Sequence, residues 1–151
     1  MVRKLTALFA ALGLVVLAVG GQDGSEALNK ADLQKLQGTW KVIACEVNGS
    51  AATEKEIKEI ECRIVIKGTD MTWIETGQPK VQATFTINAK ASPKHMDIHR
   101  EKTGKNTALR PGIYKLEGDR LIFACGPKRP TEFTSRGNPE NEMITFVREQ
   151  P

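Results

Sequence analysis

Leu36-Gln37-Gly38-Thr39-Trp40, read together with Arg148 at the end of the last apolar stretch, decides the fold of this chain. Gly38 stops a short segment of helical spacing, and Trp40 opens a run of apolar and β-branched residues that continues to Val47. A Gly-x-Trp at the start of a first strand and an arginine at the end of a last one suit a barrel whose two ends meet. The guanidinium would stack over the indole while its donors cap nearby carbonyls. Gly38, Trp40 and Arg148 are therefore assigned to barrel closure, a structural role.

Upstream, Leu28, Ala31, Leu33 and Leu36 recur at helical spacing, and Gln22 to Glu26 reads as a polar linker. Before them, Met1-Val2-Arg3-Lys4 is a basic n-region, Leu5 to Val19 is almost unbroken in apolarity, and Ala18-Val19-Gly20 offers the small residues of a signal-peptidase site. The expected organisation is a signal peptide at 1–20, a linker and the start of an N-terminal helix at 21–31, and a barrel domain at 32–148. The apolar run falls short of the roughly 20 residues that span a bilayer, so no stable membrane insertion is expected after signal cleavage. Secreted, periplasmic or cell-envelope localisation follows, with an uncleaved N-terminal anchor as the alternative.

Downstream of Val47, Asn48-Gly49 is a turn signal strong enough to outweigh the glycosylation pattern Asn48-Gly49-Ser50. Thr53 and Glu56 form a capping box for a short amphipathic helix whose apolar face carries Ile57 and Ile60. That face suits a plug over the end of the core or a lid over a pocket. The remainder reads as strands: Cys62–Lys67, Met71–Thr76, Val81–Asn88, His95–Arg100, Ile113–Glu117, Arg120–Cys125 and Met143–Arg148. The clean alternation of Val81, Ala83, Phe85 and Ile87 with Gln82, Thr84, Thr86 and Asn88 is the strongest period-two signal. Polar loops are expected through Gly104 and Pro111 and from Gly126 to Asn141, and Gly118-Asp119 suits a two-residue type II′ hairpin. The pattern predicts an all-β fold with two short helices, an antiparallel barrel of about eight strands.

Three ordered motifs resemble an uncharacterised domain family abundant in secreted planctomycete proteins: Leu36 to Trp40, the Gly-Ile-Tyr-x-Leu-x-Gly-Asp-x-Leu hairpin at Gly112 to Leu121, and Arg129 to Phe133. The likeness runs from about Asp32 to Arg148. It implies a fold and, because the family has no established activity, no catalytic residues. At longer range, Gly38, Trp40 and Arg148 resemble the Gly-x-Trp and closing arginine of lipocalins, which implies a lipocalin-like barrel. A helix inserted between the first two strands departs from the commonest lipocalin pattern.

The 151-residue chain carries 22 basic and 18 acidic residues; without Arg3 and Lys4 the balance is 20 to 18, a net +2 scattered along the sequence. Nucleic acid is not an expected partner. Cys45, Cys62 and Cys125 have no Cys-x-x-Cys spacing, so no zinc site is expected. They read either as one bridge plus a free thiol, with Cys45 and Cys62 the first pair to consider, or as three small hydrophobes. His95, Asp97 and His99 share the outward face of their strand, opposite Met96 and Ile98, and are not read as a metal site.

No catalytic constellation is recognisable, so a non-enzymatic protein without cofactor is expected; Tyr114, Arg129 and Glu132 are the residues an enzyme would draw on. Arg129 and Glu132 are expected to pair, and Phe133 to fold back on the barrel rim as a plug. The expected function is binding of a small apolar or amphipathic ligand inside the barrel. Candidate pocket residues are Ile57, Ile60, Ile64, Ile66, Phe85, Ile87, Met96 and Tyr114. The alternative is a filled barrel that acts as an envelope interaction module for a protein or polysaccharide.

Overall fold

A computed structural model describes residues 22–101 and 107–150. Helix α1 (Gln22–Leu36) leads into β1 (Gly38–Val47), a two-residue strand β2 (Ser50–Ala51) and helix α2 (Glu54–Ile60). Seven further strands follow: β3 (Arg63–Lys67), β4 (Asp70–Ile74), β5 (Val81–Asn88), β6 (Lys94–Glu101), β7 (Thr107–Glu117), β8 (Arg120–Cys125) and β9 (Glu142–Arg148). Each of β3 to β9 pairs antiparallel with its sequence neighbour, β1 pairs with β3, and β1 also pairs with β9. The result is a closed eight-stranded antiparallel barrel of lipocalin-like form, with β2 as a short flap on β1. Closure removes the unpaired edges that an open sheet would expose. The proposed signal segment, residues 1–20, lies outside the described residues.

The ends meet where the sequence placed them. Trp40 and Arg148 are direct partners in the β1–β9 ladder, and the guanidinium carbon of Arg148 lies 4.1 Å from the Trp40 ring centre. Arg148 Nη1 donates to Gln37 O at 2.6 Å and Nη2 to Lys35 O, while Trp40 Nε1 donates to Leu36 O at 2.8 Å. Three carbonyls left without partners where α1 ends are thereby satisfied, two of them by a cation at the negative end of the helix dipole. Gly38 has φ +113°, and a Cβ there would sit 3.3 Å from Arg148 Nη1, so glycine fits both the backbone and the guanidinium.

Helix α1 begins earlier than the sequence suggests: the stretch Gln22 to Glu26, read as a linker, is helical. Its inward face is also different. Asn29, Asp32, Leu33 and Leu36 turn toward the barrel, whereas Leu28 and Ala31 are exposed. Two polar residues do anchoring work that apolar spacing cannot reveal. Asn29 Oδ1 accepts from Ala89 N at 2.7 Å, and the buried Asp32 carboxylate accepts from Lys94 Nζ at 2.6 Å and Tyr114 Oη at 2.8 Å. Burial alone would raise the Asp32 pKa, but these two donors outweigh it and hold the carboxyl below its ordinary range.

Strand β7 starts at Thr107, not at Ile113, and runs through Pro111. The loop reading fails there because Pro111 pairs with β6 alone; the β8 register begins at Gly112. A proline whose missing N–H faces no neighbouring strand costs the ladder nothing. Inside the barrel, Trp40, Ile64, Ile66, Met71, Phe85, Met96, Tyr114, Leu121 and Phe146 are each no more than 1% exposed and fill its α1 end. Gly112 belongs to this packing, since a Cβ there would lie 2.5 Å from Phe123 Cε2.

Candidate functional site

The opposite end of the barrel is built differently. Strand β1 pairs with β3 only over Gly38 to Lys41; from Val42 onward it follows β9 and β2 instead. The β1–β9 register shifts between Val42 and Ala44, so Ile43 is bulged and Cys45, opposite Ile144, takes the inward position. Helix α2 covers the gap between β1 and β3. Its N-terminus is fixed by the capping box foreseen in the sequence, with Thr53 N donating to Glu56 Oε2 at 2.7 Å and Glu56 N to Thr53 Oγ1 at 3.3 Å. None of its residues is buried: Ile57 is half-buried against the core and Ile60 is exposed.

Beneath α2 lies a half-open cavity of about 240 Å³, lined by Val42, Ile57, Ile60 and Ile144 on its apolar side and by Cys45, Cys62, Trp73, Glu75, Arg100 and Glu142 elsewhere. It exists because this end of the barrel is filled by thiols where the other end uses Trp40, Phe85 and Phe146. Most polar groups around it are committed. Arg110 Nη2 bonds Glu140 O at 2.9 Å and pairs with Glu142 Oε2 at 3.3 Å, and the Cys62 thiol donates to Glu75 Oε1 at 3.9 Å. Arg100 is different: its guanidinium carbon stacks 5.2 Å from the Trp73 ring centre, and its buried Nε has no hydrogen-bond partner among the described residues. Trp73 Nε1 is likewise buried and without a partner among the described residues. Trp73 also meets Phe146 edge-on, with ring centres 6.0 Å apart.

The thiols here are free, and nothing joins Cys45 to Cys62. Burial, reinforced by the neighbouring Glu75 carboxylate, pushes the Cys62 thiol up to about 11. Burial also raises Cys45 and, against the pull of Arg110, Cys125. These are neutral thiols near pH 7, poor nucleophiles and poor metal ligands. Among the described residues no three His, Cys, Asp or Glu side chains converge as a metal-binding group.

The candidate pocket residues divide. Ile57 and Ile60 line the mouth cavity. Ile64, Ile66, Met96 and Tyr114 do not; they are packed in the closed end of the core. Phe85 and Ile87 flank a shallow groove between α1 and β5 with Asn29 and Leu33. Arg100, Trp73, Cys45 and Cys62 are the mouth residues that sequence reasoning did not single out. Arg100 continues the inward series Met96, Ile98 along β6, and that parity was the signal available in the sequence.

The loop from Gly126 to Asn141 corrects two expectations. Arg129 pairs with Asp97, not Glu132, through Nη1 at 2.6 Å and Nη2 at 2.9 Å, and Nη1 also donates to Gly112 O at 2.7 Å. The fork geometry of the guanidinium matches the Asp97 carboxylate on the outer wall, a better fit than a neighbour three residues away. Phe133 does not plug the rim; it lies half-buried on the outer wall with Lys115 Nζ 5.0 Å from its ring centre. Tyr114 faces inward at the α1 end, so Tyr114, Arg129 and Glu132 do not converge on one site. The loop is tied to the β1–β2 turn by the buried Ser135, whose Oγ donates to Glu46 Oε1 at 2.6 Å and accepts from Gly49 N at 2.8 Å.

A concavity of about 650 Å³ lies on the outer wall of β3 to β6, where Lys67, Asp70, Thr72, Lys80, Gln82, Thr84 and His99 line it together with the apolar Val65 and Ile74. Among the described residues no helix is long and apolar enough to cross a membrane. No protein-family model, no curated protein and no solved structure matches this chain.

Proposed function

We propose that this chain is an exported, non-catalytic lipocalin-like barrel that binds one small amphipathic molecule at its α2-covered mouth. The observation that carries the reading is the contrast between the two ends: a core packed to the axis under α1, and a 240 Å³ cavity with apolar walls and uncommitted polar donors under α2. The cavity lies just below the usual size of small-molecule sites, so the ligand is compact and seated at the rim, not deep in the barrel. The basic n-region and apolar run at the N-terminus, with the resemblance to secreted planctomycete domains, support an envelope or extracellular setting.

Native mass spectrometry of protein purified from its own host tests this. The expected result is a small-molecule adduct on the wild type that is absent from Ile57→Trp, in which the indole occupies the cavity. A second reading, a module that holds a protein or polysaccharide on its outer wall, is favoured by the 650 Å³ groove of mixed polar and apolar lining across β3 to β6. Absence of any adduct, together with loss of a copurifying partner in Thr84→Trp, would favour it over the first.

A further inference from the structure

Both buried side-chain nitrogen or oxygen atoms without a partner among the described residues, Arg100 Nε and Trp73 Nε1, are donors, and both belong to side chains that line the mouth cavity. Orphaned donors at one place ask for an acceptor. Trp73 is 8% exposed and cannot turn its indole to bulk water without leaving the core. Arg100 is held by its stack on that indole, and among the described residues it makes no ion pair. The second cation nearby, Arg110, is already taken by Glu142 and Glu140 O.

From this we infer that the mouth cavity is a site for a small aliphatic monocarboxylate, its carboxylate on Arg100 and its tail against Val42, Ile57, Ile60 and Ile144. The inference rests on the mouth-binding reading above and adds the chemical class of the ligand. A planar guanidinium presents paired donors that match a carboxylate, and its charge counts for more beside an apolar wall than in water. Glu75 and Glu142 on the same lining disfavour a dianion such as phosphate, because a second negative charge would meet two carboxylates with, among the described residues, one free cation to offset it. Size narrows the choice further. At ~30 Å³ of liquid volume per water, a 240 Å³ space takes roughly eight heavy atoms, the number in hexanoate.

The test is an NMR titration of the full chain with hexanoate and with hexan-1-ol, the neutral molecule of the same chain length. Hexanoate is expected to bind at least about tenfold more tightly and to move the Trp73 indole N–H resonance. In Arg100→Met the two affinities are expected to become equal, and retained hexan-1-ol binding by that variant reports an intact mouth. Arg100→Lys, which keeps the charge, is expected to preserve the preference for hexanoate. Equal affinities in the wild type would overturn the carboxylate inference and leave mouth binding standing, with water as the acceptor for the two donors. A preference that survives in Arg100→Met, or vanishes in Arg100→Lys, would overturn the role of the Arg100 charge. If neither molecule perturbs residues of the mouth, the inference and the mouth-binding reading both fail.

Discussion

Arg148 and Trp40 face each other across the β1–β9 seam, 4.1 Å from guanidinium carbon to ring centre, and both donate to carbonyls where α1 ends. The pair therefore closes the barrel and seats the helix on it in one contact. Trp40→Ala is expected to cost about 3–5 kcal/mol, as for other fully buried aromatics. Arg148→Met removes the donors from two carbonyls and is expected to cost about 1–3 kcal/mol. The double variant should lose less than the sum, with a coupling of about 0.5–2 kcal/mol from urea denaturation. Strict additivity would mean that the stacking contributes nothing of its own.

Asp32 gives stability a pH dependence of definite sign. Its carboxyl is held below the ordinary 3.8 by Lys94 and Tyr114, so the folded state binds its proton less readily than the unfolded chain. The contribution is fully present above about pH 4 and is lost as the pH falls through the lower folded value. Asp32→Asn is expected to be less stable than wild type at pH 7, with the gap closing toward pH 2. Denaturation midpoints at a series of pH values check this, and a gap that stays constant into acid would show that the Asp32 charge is not what anchors α1.

Cys62 should be a slow thiol. A value of about 11 in place of 9.0 leaves a thiolate fraction at pH 7.5 about a hundredfold lower than for an unperturbed cysteine. Site-resolved mass spectrometry during alkylation with iodoacetamide is expected to show Cys62 reacting about a hundred times more slowly than cysteine in an unfolded peptide. Removing Glu75 by Glu75→Gln should recover only part of that rate, because burial is the larger cause. A Cys62 that alkylates at the free-peptide rate would place it in solvent, outside the cavity wall.

The closed end of the barrel was legible in the sequence because it obeys patterns that need no partner to be seen. Gly38, Trp40 and Arg148 form a motif, and Val81 to Ile87 alternates cleanly. Turns and caps such as Asn48-Gly49 and Thr53–Glu56 are short-range chemistry. The mouth was legible only in Ile57 and Ile60. Arg100 shares the inward parity of Met96 and Ile98, but its charge reads as surface until β6 is set between β5 and β7, and Asp32 looks like a polar position on a helix until Lys94 and Tyr114 arrive from strands far along the chain. Polar residues are placed by partners, and partners distant in sequence leave no periodic trace. Arg129 was misassigned to Glu132 for the same reason: the nearer acid in sequence was not the one in space.

The bulge at Ile43 gives β1 two reading frames. Up to Val42 the even-numbered residues face the axis, and from Cys45 the odd-numbered ones do. The seam that shuts the barrel is written in the first frame and the cavity wall in the second. Deleting Ile43 would merge them: Ala44 would follow Val42 directly, regular alternation would keep Ala44 out and Cys45 inward opposite Ile144, and Trp40 and Arg148 would keep their places. The extra residue thus alters the course of the strand, not which of its side chains face the axis, and removing it would change how β1 leaves β3 at the mouth without reopening the end that holds the fold shut.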